Sequence, residues 1–125
     1  MNAVRRDYSE SDHITFNIDE SYQKANLIYD TFVGVFHGDM PRKNYTNWSQ
    51  FQFSELWGKA KRWEQYSGHL HSKEVFTVGG LEHTILGTMK PTDRYEQSLG
   101  YGNYRPTVEA YIYESDKGKT KSMYY

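Results

Sequence analysis

The chain has 125 residues, a formal net charge of −1 and no cysteine, and 17% of its residues are Phe, Trp or Tyr. This length suits one domain with a single core, and the lack of cysteine excludes disulfides, thiolate zinc sites and cysteine nucleophiles. A charge near zero argues against binding nucleic acid chiefly by neutralising phosphates.

Aliphatic residues are few in this sequence, so we expect a core built largely of aromatic side chains, to which Tyr22 and Tyr29 contribute. Tyrosine is also common at recognition surfaces. No apolar segment is long enough for a membrane span or follows the N-terminal arginines as in a signal peptide. We therefore expect a cytoplasmic protein with no membrane partner.

The N-terminal half is predicted to contain one strand and two helices. Residues 1–12 are polar and are expected to form a flexible arm before a single domain over residues 13–125. Residues 13–18 alternate apolar and polar side chains, which is typical of a strand. Apolar residues at helical spacing predict a central helix over residues 20–37, ended by Gly38, and a second helix from Ser49 or Ser54 to Tyr66.

The C-terminal half is predicted to be strands. Residues 73–78 and 81–86 flank Gly79-Gly80, a hairpin signal that places Val78 opposite Leu81, Phe76 opposite His83 and Glu74 opposite Ile85. Residues 107–114 and 119–125 form two further strands around a turn at residues 115–118, and lysines would protect the last strand as a sheet edge. The fold class is α+β, with an antiparallel sheet of about four or five strands and both helices on one face.

The candidate binding site lies in the long connection between these strand pairs. It comprises Arg94, Tyr95, Tyr101, Tyr104 and Arg105. A connection of this length inside a compact domain is usually functional or disordered. Arginines there can grip phosphate or carboxylate while tyrosine rings pack on a ligand. In the strand that follows, Tyr111 and Tyr113 share one face, and the pattern leaves open whether that face is buried.

One short motif suggests metal chemistry. His69-Leu70-His71 resembles the metal-binding pair of the HUH nicking and transposing enzymes, a resemblance that implies a tyrosine nucleophile such as Tyr95 or Tyr101. The match covers three residues and no third ligand is marked, so two histidines following a helix are the preferred interpretation. We expect no metal and no cofactor.

Three other patterns suggest phosphate or nucleic-acid chemistry. His13-Ile14-Thr15 resembles half of the motif pair of the two-histidine phosphoesterases, but the second half is missing. Gly118-Lys119-Thr120 lacks the earlier glycine and the following helix of a phosphate-binding loop. Five cations could gather with Tyr45 and Trp48 into a surface for single-stranded nucleic acid: Arg42, Lys43, Lys59, Lys61 and Arg62.

These observations favour a small non-enzymatic binding or accessory protein acting through a Tyr/Arg-rich surface on a macromolecular partner, most readily a protein. A phage or mobile-element inhibitory factor is one such protein, and homo-oligomerisation through the aromatic sheet is expected. One alternative is a binder of a nucleotide or of single-stranded nucleic acid. Another is a virion or assembly component.

Overall fold

A computed structural model describes residues 13–15, 23–38, 41–68, 73–87 and 108–124. The strands are β1 (Lys24–Ile28), β2 (Thr31–Phe36), β3 (Arg62–Ser67), β4 (Glu74–Val78), β5 (Leu81–Ile85), β6 (Glu109–Glu114) and β7 (Gly118–Tyr124). The helices are a 3-10 turn (Arg42–Asn44), α1 (Tyr45–Gln52) and α2 (Ser54–Lys59).

The helix expected over residues 20–37 is wrong, because the described part of that segment is the hairpin β1–β2. Lys24 pairs with Val35 and Ile28 with Thr31 in antiparallel register. The turn contains Tyr29, which has a positive φ of 53° and is 65% exposed, so its predicted place in the core is also wrong. The segment from Thr31 to Phe36 is rich in Val and Phe, residues that pack well on a pleated sheet. Because both faces of β2 carry apolar residues, the apolar positions of this segment are also compatible with the wide apolar side of a helix.

The second predicted helix is right over its first half and wrong over its second. Helix α1 begins at Tyr45, and α2 ends at Lys59, after which Ala60 has an extended ψ of 153°. The chain then continues as β3. Trp63 of β3 stacks on Trp57 of α2 with ring centroids 5.4 Å apart.

Both C-terminal strand pairs are confirmed. Strands β4 and β5 pair with the predicted register, Val78 opposite Leu81 and Phe76 opposite His83. Strands β6 and β7 form a second sheet of two antiparallel strands, with a register irregularity at Ile112/Tyr113. We call residues 109–124 the C-terminal hairpin.

The larger sheet has five strands in the order β1-β2-β3-β5-β4. Its outer pairs are antiparallel, whereas β2 with β3 and β3 with β5 are parallel. The fold is α+β as predicted, but the sheet is mixed rather than antiparallel. The reason is the connection from β2 to β3, which runs through α1 and α2, because a crossover of that kind returns the chain in the same direction.

Side-chain alternation along β3 divides the molecule into layers. Gln65 contacts Ser49 of α1, and Trp63 donates its indole N–H to the carbonyl of Trp57 in α2, so this face carries the helices. Glu64 and Tyr66 point to the opposite face and meet the C-terminal hairpin. The five-stranded sheet therefore lies between a helical layer and a two-stranded layer.

The aromatic core expected from composition lies between the sheet and the helices. Phe32 is fully buried with its ring centroid 5.2 Å from that of Trp57, and Phe36 packs on Trp48 at 5.1 Å. Leu81 completes this core from β5. No helix in the described part of the chain is long and apolar enough to cross a membrane. The arm at residues 1–12 lies outside the described residues. Of the strand expected at residues 13–18, residues 13–15 are described and are not a strand, and residues 16–18 lie outside the described residues.

Candidate functional site

An open cleft of about 380 Å³ lies where the five-stranded sheet meets the turn of the C-terminal hairpin. Its lining comprises four basic residues, two glutamates, one tryptophan and one glycine: Lys61, Arg62, Lys117, Lys119, Glu64, Glu82, Trp63 and Gly80. We call it the charged cleft. Its residues come from the starts of β3 and β5 and from the turn and first residues of β7.

Parallel pairing of β3 with β5 brings the two carboxylates together. Glu64 lies directly opposite Glu82 in the register, so both side chains emerge on the face that meets the hairpin. Glu64 is buried, whereas the Glu82 side chain is 47% exposed. The Glu64 carboxylate therefore makes its contacts inside the protein, whereas the Glu82 carboxylate remains accessible to a ligand.

Lys119 neutralises this pair from the hairpin. Its Nζ lies 3.0 Å from Glu64 Oε1 and 3.6 Å from Glu82 Oε1, and it donates to the Tyr66 hydroxyl at 3.2 Å. The ammonium also sits 4.7 Å from the ring centroid of Tyr111, within the range of a cation–π contact. Lys119 thus holds the hairpin on the sheet, which is not the edge-protecting role expected for it.

Arg62 closes the inner wall of the cleft. Its guanidinium bonds Asp30 Oδ2 at 3.0 Å and donates to the backbone carbonyl of Asp116 in the hairpin turn. Gly118 lies against this side chain, since a Cβ there would come within 2.6 Å of Arg62 Cδ. Arg62, like Lys119, is therefore used to join the two sheets.

Lys61 and Lys117 are the two exposed lysines of the cleft, and their charges are available to bind a ligand. Lys61 makes one long contact of 3.4 Å with Asp116, and both side chains are more than two-thirds exposed. Lys117 is exposed and makes no ion pair with any described residue. Exposed pairs contribute little and exchange readily, so Lys61, Lys117 and Glu82 are the groups that an incoming ligand can engage.

Three tyrosines cluster beside the cleft, with Tyr66 hydrogen-bonded to Tyr113 and stacked on Tyr111. Burial, followed by the hydrogen bond with Tyr113 and the nearby Glu64 carboxylate, raises the pKa of the Tyr66 hydroxyl. Burial also raises the pKa of Tyr113 to about 12, although the hydrogen bond from Tyr66 acts in the other direction. The Tyr66 and Tyr111 rings stack at 5.0 Å. The open question from the strand pattern is thereby answered, because Tyr111 and Tyr113 face the sheet while Ile112 is exposed.

A second polar cluster lies inside the helical layer. Ser49 Oγ donates to Gln65 Oε1 at 2.8 Å, Gln65 Nε2 lies 3.0 Å from His83 Nδ1, and His83 Nε2 lies 2.7 Å from Ser67 Oγ. Phe76 stacks on the imidazole at 4.8 Å, and Tyr45 packs on it at 4.4 Å.

This buried cluster resembles a nucleophile–base pair but is unsuited to catalysis. His83 is 1% exposed and Ser67 is 3% exposed, so no substrate reaches the hydroxyl. Burial, with a smaller effect from Arg42, lowers the pKa of His83 to about 4, which makes it a weak base. The cluster satisfies its own donors and acceptors, as buried polar groups must, and we assign it a structural role.

The residues singled out from the sequence are distributed differently. Arg94, Tyr95, Tyr101, Tyr104 and Arg105 lie outside the described residues, as do His69 and His71. Within the described ranges, no group of three His, Asp or Glu residues could hold a metal ion. The placement of the site in residues 93–105 stays a prediction.

The basic cluster expected around Tyr45 and Trp48 does not assemble. Arg42 donates a hydrogen bond to Glu74 Oε1 at 2.6 Å, and this bond lowers the pKa of Glu74. The Arg42 guanidinium also lies over the Phe76 ring. Lys59 pairs with Glu55 within α2. Only Lys61 and Arg62 of the predicted group line the charged cleft.

No protein-family model matches this chain, and a search of curated proteins finds no match. The functional argument therefore depends on the charged cleft alone. Sequence reasoning missed four of its charged residues: Glu64, Glu82, Lys117 and Lys119. The local signals were the predicted turn at residues 115–118, which contains Lys117, and the pattern Gly118-Lys119-Thr120, and neither of them indicated Glu64 or Glu82.

Proposed function

We propose that this is a non-enzymatic binding protein that recognises a protein partner at the charged cleft. The observation that carries the proposal is the lining of the cleft, where Lys61 and Lys117 remain available beside the half-exposed Glu82. The partner segment that fits carries charges of both signs, with a carboxylate for the two lysines and a cation for Glu82.

The mixed charge favours a protein over a nucleic acid. Every unit of a nucleic acid is anionic, so its phosphates would meet Glu82 as well as the lysines. Arg62 and Lys119, the other two cations, already bind Asp30 and Glu64. Phosphate binding depends on cations that are free to release counterions, and few such cations remain here.

Selection from a random 12-residue peptide library tests this proposal. We expect the selected peptides to carry acidic and basic residues together, matching the lysines and Glu82 that line the cleft. The double substitution Lys61→Ala and Lys117→Ala should weaken the selected peptides about tenfold, because two rim charges contribute about 1 kcal/mol or less each.

The matched control is the double substitution Lys43→Ala and Lys59→Ala, which removes the same charge from residues outside the cleft. Its affinities should equal those of the native protein. Failure to enrich any peptide, or peptides that bind both double variants equally well, would refute the proposal. Salt-dependent binding of a (dT)10 oligonucleotide at the cleft would instead support the nucleic-acid alternative.

Two broader expectations remain proposals. If the protein self-associates through its larger sheet, we expect an outer strand, β1 or β4, to pair with a strand of a second copy. Light scattering over a range of concentrations tests that expectation. Mass spectrometry of the proteins that co-purify with the native chain tests a role as a phage accessory factor, inhibitor or virion component.

A further inference from the structure

The C-terminal hairpin is attached to the rest of the protein by side chains. Strands β6 and β7 pair with each other and belong to a separate sheet. Between the described residues, no backbone–backbone hydrogen bond joins this hairpin to the larger sheet. An isolated two-stranded hairpin is at best marginally stable in water, so the side-chain contacts determine whether it stays docked.

These contacts occur at three points along the hairpin. Near its start, Lys73 binds the buried Glu109 carboxylate at 2.5 Å. At its centre, Lys119 binds Glu64 at 3.0 Å and the Tyr66 and Tyr113 hydroxyls bond at 2.6 Å. At its turn the contact is made by Arg62, as described above. Two of these four contacts are ion pairs, and because both are partly buried, salt screens them only in part.

Docking also leaves two polar atoms unsatisfied. Thr31 Oγ1 and Asp30 Oδ1 are buried and have no hydrogen-bond partner among the described residues. Thr31 lies beneath the hairpin, since a Cβ on Gly118 would be 3.6 Å from its hydroxyl. Burying a polar atom without a partner is unfavourable, so detachment of the hairpin recovers hydration and opposes part of the gain from docking.

The hairpin also supplies one wall of the charged cleft. Lys117 and Lys119 belong to it, whereas Lys61, Trp63 and Glu82 belong to the five-stranded sheet. Detachment therefore removes the cleft. A ligand that bridges the two walls binds only the docked state and must stabilise it.

We infer that the C-terminal hairpin is a detachable wall of the charged cleft, which opens as a unit without unfolding the five-stranded sheet and which a bound ligand clamps shut. Opening of the hairpin is independent of any ligand, whereas the clamping rests on the proposed function. Local opening of this kind has a lower free energy than global unfolding.

Hydrogen exchange followed by mass spectrometry tests the opening in the ligand-free protein. Peptides from residues 109–124 should exchange faster than peptides from β3 and β5, and raising KCl from 0.05 to 0.5 M should widen the difference. Lys119→Gln should accelerate hairpin exchange about tenfold, as expected for the loss of one partly buried ion pair. Exchange in β3 and β5 should stay unchanged.

Lys121→Gln is the matched control, because Lys121 lies on the same strand and is exposed. It should leave exchange at the native rate. If Lys119→Gln fails to fold, Tyr66→Phe and the salt series on the native protein measure the same attachment. Equal exchange rates in hairpin and sheet under every condition, or acceleration of both together, would overturn the inference.

A second arm adds a peptide selected for the cleft. Slower exchange of residues 109–124 in the complex would support clamping. If the ligand-free result holds and no peptide binds, the proposed function fails while the opening of the hairpin stands. A peptide that binds the cleft without slowing hairpin exchange would overturn the coupling alone.

Discussion

The buried His83 makes the folding stability of this protein sensitive to mild acid in a way that can be calculated. An imidazole in the unfolded chain has a pKa of 6.5, and burial lowers the pKa of His83 in the folded protein to about 4. The unfolded state therefore binds more protons between pH 6.5 and pH 4, so stability falls as the pH falls through this window. From pH 7 to pH 5 the loss is about 2 kcal/mol.

Protonation has a structural cost because every group around the ring is already paired. Nε2 faces Ser67 Oγ and Nδ1 faces the Gln65 side-chain amide. Tyr45 and Phe76 cover the ring faces, and Arg42, itself cationic, lies over Phe76. Glu74, which could offset an imidazolium, is bound to Arg42. No other carboxylate among the described residues acts on the His83 imidazole.

Urea denaturation of the native protein and of His83→Gln at pH 7 and pH 5 measures the effect. Carboxylate titration contributes to both proteins, so the difference between their pH dependences isolates His83. We expect the variant to lose about 2 kcal/mol less on acidification than the native protein. Equal pH dependence in His83→Gln and the native protein would refute the reasoning.

Three further predictions concern single positions. Gly118→Ala should destabilise by about 1–2 kcal/mol in a thermal melt, because its φ of +76° disfavours a Cβ, whereas Gly58→Ala, in an open helical position, should stabilise by about 0.5–1 kcal/mol. Gln65→Leu should cost about 1–3 kcal/mol in urea, since it leaves buried partners unpaired. Tyr113 has a folded pKa of about 12 against 10.0 unfolded, so the stability that it contributes is complete below pH 10 and is lost between pH 10 and pH 12. Tyr113→Phe should reduce that loss.

Local signals in the sequence predicted the hairpins well. The pair Gly79-Gly80 supplies two positive φ values, 55° and 85°, that other residues adopt with difficulty. Because side chains alternate along strands, the turn then fixed the pairing of Phe76 with His83. The strands around the turn at residues 115–118 could be predicted for the same reason. Such features depend on a few neighbouring residues.

The wrong predictions arose where one pattern allows two structures. A segment with apolar residues on two faces satisfies a wide helical arc and also a strand buried on both sides. Gly34 shows what decided the matter, since a Cβ there would lie 3.2 Å from the Phe36 ring and 3.3 Å from the Phe32 ring. These three residues share one face of the strand, and the two rings pack on Trp57 and Trp48 of the helices, contacts that only the tertiary structure provides.

The sequence by itself determined an α+β domain with an aromatic core, the two C-terminal hairpins and the register of one of them. Its composition also limited the charge available for binding nucleic acid. The tertiary structure decided the mixed sheet, because strand direction depends on the path of the crossover through α1 and α2. It also decided the charged cleft, because Glu64 and Lys119 are far apart in the chain and meet only when the C-terminal hairpin docks.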